Sequence, residues 1–154
     1  MNSDDLADGA AGAAAHRFLV ASIGGVSYAV PLRQVDEISL PMAVTRVPRA
    51  PAGVAGVMNH RGDLLPVVDL AEILGHAAGH GATASPDRRL LIVAALGGRV
   101  AVLSDRAPDL VAIDPAERQS LRGAQPPGVT HLVARPGGLL SVLDIEASIA
   151  SLIV

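Results

Sequence analysis

Apolar positions along this chain come in short runs, broken every few residues by glycine, proline or charge. Phe18 to Ile23 is one run and Val26 to Val30 the next, with Gly24-Gly25 between them. Two strand-length runs joined by Gly-Gly predict a tight hairpin, because glycine accepts the positive φ such turns need. Pro31 ends the second strand, and Val35 to Leu40 makes a further short one. Pro41, Pro48 and Pro51 break up the next stretch. Gly53 to His60 and Leu64 to Val68 are again strand-like runs. Arg61-Gly62-Asp63 separates them and reads as a hairpin turn, with Gly62 supplying the unusual backbone angles. Asp69 then starts a short helix. Its carboxylate can accept amide hydrogens left free at a helix start, Glu72 three residues later completes a capping box, and Gly75 ends the helix.

Gly75 to Asp87 is rich in Gly, Ala, His, Ser and Pro and reads as a linker or exposed loop. Beyond it the pattern returns. Leu90 to Leu96 is apolar, Gly97-Gly98 reads as the turn, and Arg99 to Leu103 is the partner strand, a repeat of the first hairpin at a spacing of 73. Leu139 to Ile145 repeats Leu64 to Leu70 at a spacing of 75, and in both an apolar strand runs into a helix-capping residue, Asp69 or Asp144. Two landmarks in the same order predict an internal duplication. Each half offers enough short strands for a small closed barrel that hides its edges. The expectation is an all-β fold with short helices. A first barrel spans about 16–74 and a second about 88–144, with a helix over 145–153 at their junction. Residues 1–15, Ala, Gly and acids without periodicity, read as a disordered tail.

Composition sharpens this. Half of the 154 residues are hydrophobic, yet there is one Phe, one Tyr and no Trp. The core must be aliphatic, each larger side chain contributing roughly 1.5–3 kcal/mol when fully buried. Half a chain of this size buries too little surface to stand alone, so the halves are expected to share a core. The net charge is -3, with no Lys/Arg run to suggest nucleic acid or an anionic membrane. The absence of Cys excludes disulfides, thiolate metal sites and cysteine nucleophiles. The longest apolar run is too short to span a bilayer, and the acidic start lacks the positive region of a signal peptide. The expected location is cytoplasmic.

No serine-hydrolase elbow, zinc-protease helix or phosphate loop is spelled out. His76 and His80 stand four apart, but in a Gly/Ala-rich loop without a third ligand, so no metal is expected. His16 and His131 have no evident partners. Asp69 and Asp144 read as repeated caps rather than a catalytic pair. No cofactor is called for, and the chain is not expected to be an enzyme. Glu37 and Arg61 remain as charges among apolar strands, and their ordinary reading is solvated surface.

The runs Gly56 to Gly62 and Leu65 to Leu70 resemble the signature of the CheW family, roughly G-v-x-N-L-R-G followed by l-P-v-v-D-L. Phe18 to Val30 with Val35-Asp36-Glu37-Ile38 resembles the family's opening strands and its V-x-E-I element, and Ser141 to Ile149 its closing segment. The resemblance runs in order over about residues 17–153. It implies two tandem SH3-like five-stranded β-barrels around a shared core. It further implies a non-catalytic adaptor, binding the regulatory domain of the histidine kinase CheA and the cytoplasmic tip of methyl-accepting chemoreceptors. Carried over by position, the implied protein-binding residues are Glu37, Gly56, Asn59, His60, Arg61 and Gly62. His60 stands where the family usually has an apolar residue. Leu103 to Leu110 follows the family pattern only loosely, at Ser104, Ala107 and Pro108. Glu37 and Arg61 are expected to pair, so that a double charge reversal restores some coupling. The alternatives are the same adaptor role in a non-flagellar chemosensory pathway and a small-molecule-binding barrel.

Overall fold

A computed structural model describes residues 16–76 and 86–153. The expected tail over 1–15, most of the linker and His80 lie outside the described residues. The first half supplies β1 (Arg17–Ile23), β2 (Val26–Pro31), β3 (Val35–Ser39), β4 (Val54–His60) and β5 (Asp63–Val68). The second supplies β6 (Arg89–Ala95), β7 (Gly98–Ser104), β8 (Asp109–Ala112), β9 (Arg118–Ser120), β10 (Val129–Arg135) and β11 (Gly138–Leu143). Helix α1 (Ile145–Ala150) comes next, extended by a 3-10 turn over Ser151–Ile153.

The strands form two sheets, ordered β8-β1-β2-β11-β10-β9 and β3-β6-β7-β5-β4. Each sheet takes its first hairpin from one half of the chain and its remaining strands from the other. The ranges 16–74 and 88–144 are therefore repeats in sequence and not separate barrels. The joins are parallel: Val142 of β11 lies opposite Ala29 of β2, and Val67 of β5 opposite Ala101 of β7.

The hydrophobic pattern explains the exchange. Alternate residues of each opening hairpin face different cores. In the first sheet, Phe18 and Ala29 pack with Val133, Leu140 and Val142. In the second, Leu90 and Ala101 pack with Met58, Leu65 and Val67. The intervening residues Ala21, Ile23, Tyr28 and Val30 meet Leu91, Val93, Val100 and Val102 in a third core between the sheets, joined by Leu70, Leu143, Ile145 and Ile149. Both hairpins are thus apolar on two faces, which is why their sequences read as unbroken runs. Tyr28 is buried in this shared core, where desolvation pushes its phenol pKa above the usual range. Its hydroxyl meets His76 Nε2 at 2.5 Å.

Two details of the repeat differ from expectation. The second hairpin closes with Ala95 opposite Gly98, so its turn is Leu96-Gly97 rather than Gly97-Gly98. Leu96 and Gly97 have φ of 58° and 75°, matching Gly24 and Gly25 at 61° and 81°. The hairpins are therefore spaced by 72 residues, with an exposed leucine in a left-handed position. After Asp69 the chain makes a turn instead of a helix. The Leu74 amide donates to the Leu70 carbonyl, but those of Gly75 and His76 reach Glu72 and Ala71 and close the turn.

Both Asp caps are tied to a glycine sixteen residues earlier. The Asp69 amide donates to Gly53 and the Asp144 amide to Gly128, each at 2.7 Å. Gly53 and Gly128 share φ near +90°, 92° and 91° respectively, each in a turn opened by proline, Pro51 or Pro126. The capping box with Glu72 is not made, because Gly53 takes the amide that Glu72 would need. Asp69 still caps Ala71 at 3.0 Å. Asp144 caps Ala147, and Gln34 braces it by bonding both the Asp144 carboxylate and the Ile145 amide.

Ser104 and Asp105 are part of the framework. The Ser104 hydroxyl accepts from the Ser22 amide and donates to the Arg106 carbonyl. The Asp105 carboxylate accepts from Ser22 Oγ and the Gly25 amide. These bonds staple the end of β7 to the β1–β2 hairpin across the sheets. Pro108 precedes β8, an outer strand, so its missing amide costs no interior ladder bond.

Interleaving makes the sheets one cooperative unit. Leu91→Ala, at a fully buried site of the shared core, should cost about 2–5 kcal/mol. Urea unfolding followed by circular dichroism and by Tyr28 fluorescence should give coincident transitions in wild type and variant. Separated transitions would show that the sheets unfold independently.

Candidate functional site

The tight β4–β5 hairpin places the expected site. His60 lies opposite Asp63, leaving Arg61 and Gly62 as the two turn residues. Their φ values, 52° and 89°, are both positive, as a type I′ turn requires. Asp63 belongs to the strand, and the unusual geometry falls on Arg61 as well as Gly62. Asn59 Oδ1 accepts the Gly62 amide at 2.9 Å and pins the turn.

Glu37 approaches from β3, an outer strand of the same sheet. The β3–β6 register shifts between Val35 and Glu37, just before the side chain that meets the turn. Arg61 donates to Glu37 Oε1 at 2.8 Å. His60 Nε2 lies 3.2 Å from Oε2. Arg99 of β7 stands 3.8 Å from the same oxygen. The expected Glu37–Arg61 pair is present, enlarged to one carboxylate facing three cationic or protonatable groups. The side chains grade outward from His60, 5% exposed, through Glu37 at 26% and Arg99 at 39% to Arg61 at 73%.

The six expected binding residues separate into two groups. Arg61, Asn59 and Gly62 are exposed, and Glu37 is half-buried behind them. Gly56 and His60 are buried and act from within. Gly56 has φ 153°, and a side chain there would strike the Thr45 carbonyl. The close approach lets Thr45 and Val57 exchange two backbone bonds of 2.8 and 2.9 Å, guarding the edge of β4. Sequence reasoning missed Arg99, because only strand exchange brings the second hairpin beside Glu37. It also missed Gly53 and Gly128, although their spacing of 75 was visible.

Among the described residues the first sheet, β8-β1-β2-β11-β10-β9, has no equal cluster. In the two registers, Asp109 occupies the place of Glu37, Arg135 that of His60 and Pro136 that of Arg61. Arg135 instead donates to the Ala112 carbonyl. Apolar exposure, by contrast, is repeated. Leu64 and Leu139 are 72% and 68% exposed, and Ile38 and Leu110 are exposed at matching positions of β3 and β8. Among the described residues no three His, Asp or Glu side chains cluster to hold a metal. None of their helices is long and apolar enough to cross a membrane.

Two interleaved, duplicated β-sheets carrying an exposed ion-pair cluster define a class of tandem SH3-like barrel proteins. Residues 17–152 match the CheW-like domain, and the chain belongs to that family. It is 27% identical over 135 residues to the chemotaxis protein CheW of Bacillus subtilis, covering 85% of each chain. It is 35% identical over 99 residues to CheW of Rhizobium meliloti, covering 63% of this chain and 61% of that one. The solved scaffolding protein TtCheW from Thermoanaerobacter tengcongensis shares the fold, with a TM-score of 0.75, 20% identity and 86% of each chain covered.

The cluster leads to two expected outcomes. Arg61→Gly relieves a left-handed arginine and should leave thermal stability unchanged or raise it by up to about 1 kcal/mol. The double reversal Glu37→Arg with Arg61→Glu should not recover the behaviour of the wild type, because the arginine introduced on β3 would then face His60 and Arg99. Melting temperatures of the singles and the double check both.

Proposed function

We propose that this protein is a non-catalytic adaptor that couples methyl-accepting chemoreceptors to a CheA-type histidine kinase in a chemotaxis signalling array. Membership of the CheW-like family over 17–152 supports the reading. The observation that carries it is the repeated apolar exposure. Leu64 and Leu139 occupy the same position in both sheets, and Ile38 and Leu110 do likewise. Large aliphatics left in water at both copies of a repeat mark surfaces that partners cover. One sheet would dock the regulatory domain of the kinase. The Glu37 cluster and its neighbours would meet the receptor tip, with Arg61 at the rim and apolar side chains as anchors. Control of the kinase follows from geometry, since a stiff pair of sheets sets where its partners sit. The protein works in the cytoplasm, at the membrane only through its receptors.

Pull-down with a kinase regulatory domain and with a receptor cytoplasmic fragment tests this. Wild type should bind both. Leu64→Glu and Leu110→Glu, at exposed sites, should keep the wild-type melting temperature while at least one weakens a partner about tenfold, the effect of roughly 1.4 kcal/mol. A folded wild type that binds neither partner overturns the reading.

A further inference from the structure

We propose that His60 is a proton-sensitive positioning residue, whose protonation loosens Arg61 from Glu37 and so tunes docking at this surface. The idea deepens the adaptor reading, and its link to docking rests on that reading.

His60 is almost fully buried, yet its ring reaches the most connected carboxylate of the site. An apolar residue would fill the same space, so packing alone does not call for a ring nitrogen. Histidine changes charge near neutral pH, whereas carboxylates and guanidinium groups do not. Four charged groups accompany the ring. Glu37 faces it from β3, Arg61 adjoins it in the turn, Arg99 reaches the same carboxylate from β7, and Asp63 lies opposite in the hairpin.

With the ring neutral, Glu37 Oε2 is close to a neutral imidazole, and the carboxylate charge is shared between Arg61 and Arg99. With the ring protonated, a buried cation sits 3.2 Å behind the carboxylate. It is shielded from water better than either arginine, so it claims more of the Glu37 charge. Arg61, the most exposed partner, is the one released. Its guanidinium then becomes available to an acidic side chain of a docking partner. Glu37 stays anchored from behind in both states, which makes the change local to the turn.

The test uses the isotope-labelled full chain and three forms of residue 60. In wild type, the Arg61 side-chain Nε–H resonance should titrate with the same midpoint as the His60 ring. His60→Gln keeps an amide donor toward Glu37 without a titrating group, and His60→Leu removes the donor. Both should abolish the Arg61 titration in that range. An Arg61 resonance indifferent to the His60 titration, or one titrating identically in the variants, overturns the proposal. The wild-type comparison of the two resonances decides the matter even if a variant fails to fold. Binding of a receptor cytoplasmic fragment should rise about fivefold from about pH 8 to about pH 5.5 in wild type and stay flat in His60→Gln, as expected for one surface charge contact. Equal binding at both pH values in wild type counts against the switch. Loss of binding at every pH in wild type and variants counts instead against the adaptor reading.

Discussion

The exchange of hairpins between the halves is the constraint on which the rest of this structure depends. A chain with two aromatic residues has to build its core from small aliphatics. Giving β1–β2 and β6–β7 an apolar environment on both faces multiplies the surface those side chains can bury. Phe18 and Ala29 fill one barrel, Leu90 and Ala101 the other, and the residues between them form the shared core. Neither half retains an opening hairpin with which to close its own barrel. The angle between the sheets is therefore set by continuous packing rather than by a flexible linker.

Polar groups secure the same arrangement where apolar contact ends. Gly53 with Asp69 and Gly128 with Asp144 repeat one device, a proline-opened turn whose glycine carbonyl receives the cap residue's amide. Ser104 and Asp105 stitch the end of β7 to the β1–β2 turn. Gln34 spans the halves to reach the start of α1. Substitutions in such contacts act on the fold first and on docking only through it. The loose match to the family around Ser104 and Pro108 is thus a different way of closing the framework.

The duplication is symmetric in its backbone and asymmetric in its chemistry. Both sheets expose a leucine at the same position, but only one gathers cations around a carboxylate. Glu37 became the centre of a cluster because the β4–β5 turn brings His60 and Arg61 to it and β7 delivers Arg99 from the other repeat. Asp109, Arg135 and Pro136 stand at the matching places of the first sheet, and Arg135 directs its guanidinium to a backbone carbonyl. The two sheets accordingly share exposed apolar side chains and differ in the charge they carry.

Much of this was legible in the residues themselves. The pairing of Glu37 with Arg61 was an expectation of the family resemblance, whereas the strands of the opening hairpins, the Gly24-Gly25 turn, the β4–β5 hairpin, the repeat and the Asp144 cap follow from local periodicity, glycine placement and motif. These are short-range properties, written within a few residues. The sequence alone did not reveal that each hairpin belongs to the opposite sheet, since an apolar run records that both faces are buried but not against what. Nor could it say that the Asp69 segment stops short of a helix, that Leu96 rather than Gly98 takes the turn, or that His60 points inward and Arg99 joins it. Those outcomes are set by contacts between residues tens of positions apart, and only the folded chain brings them together.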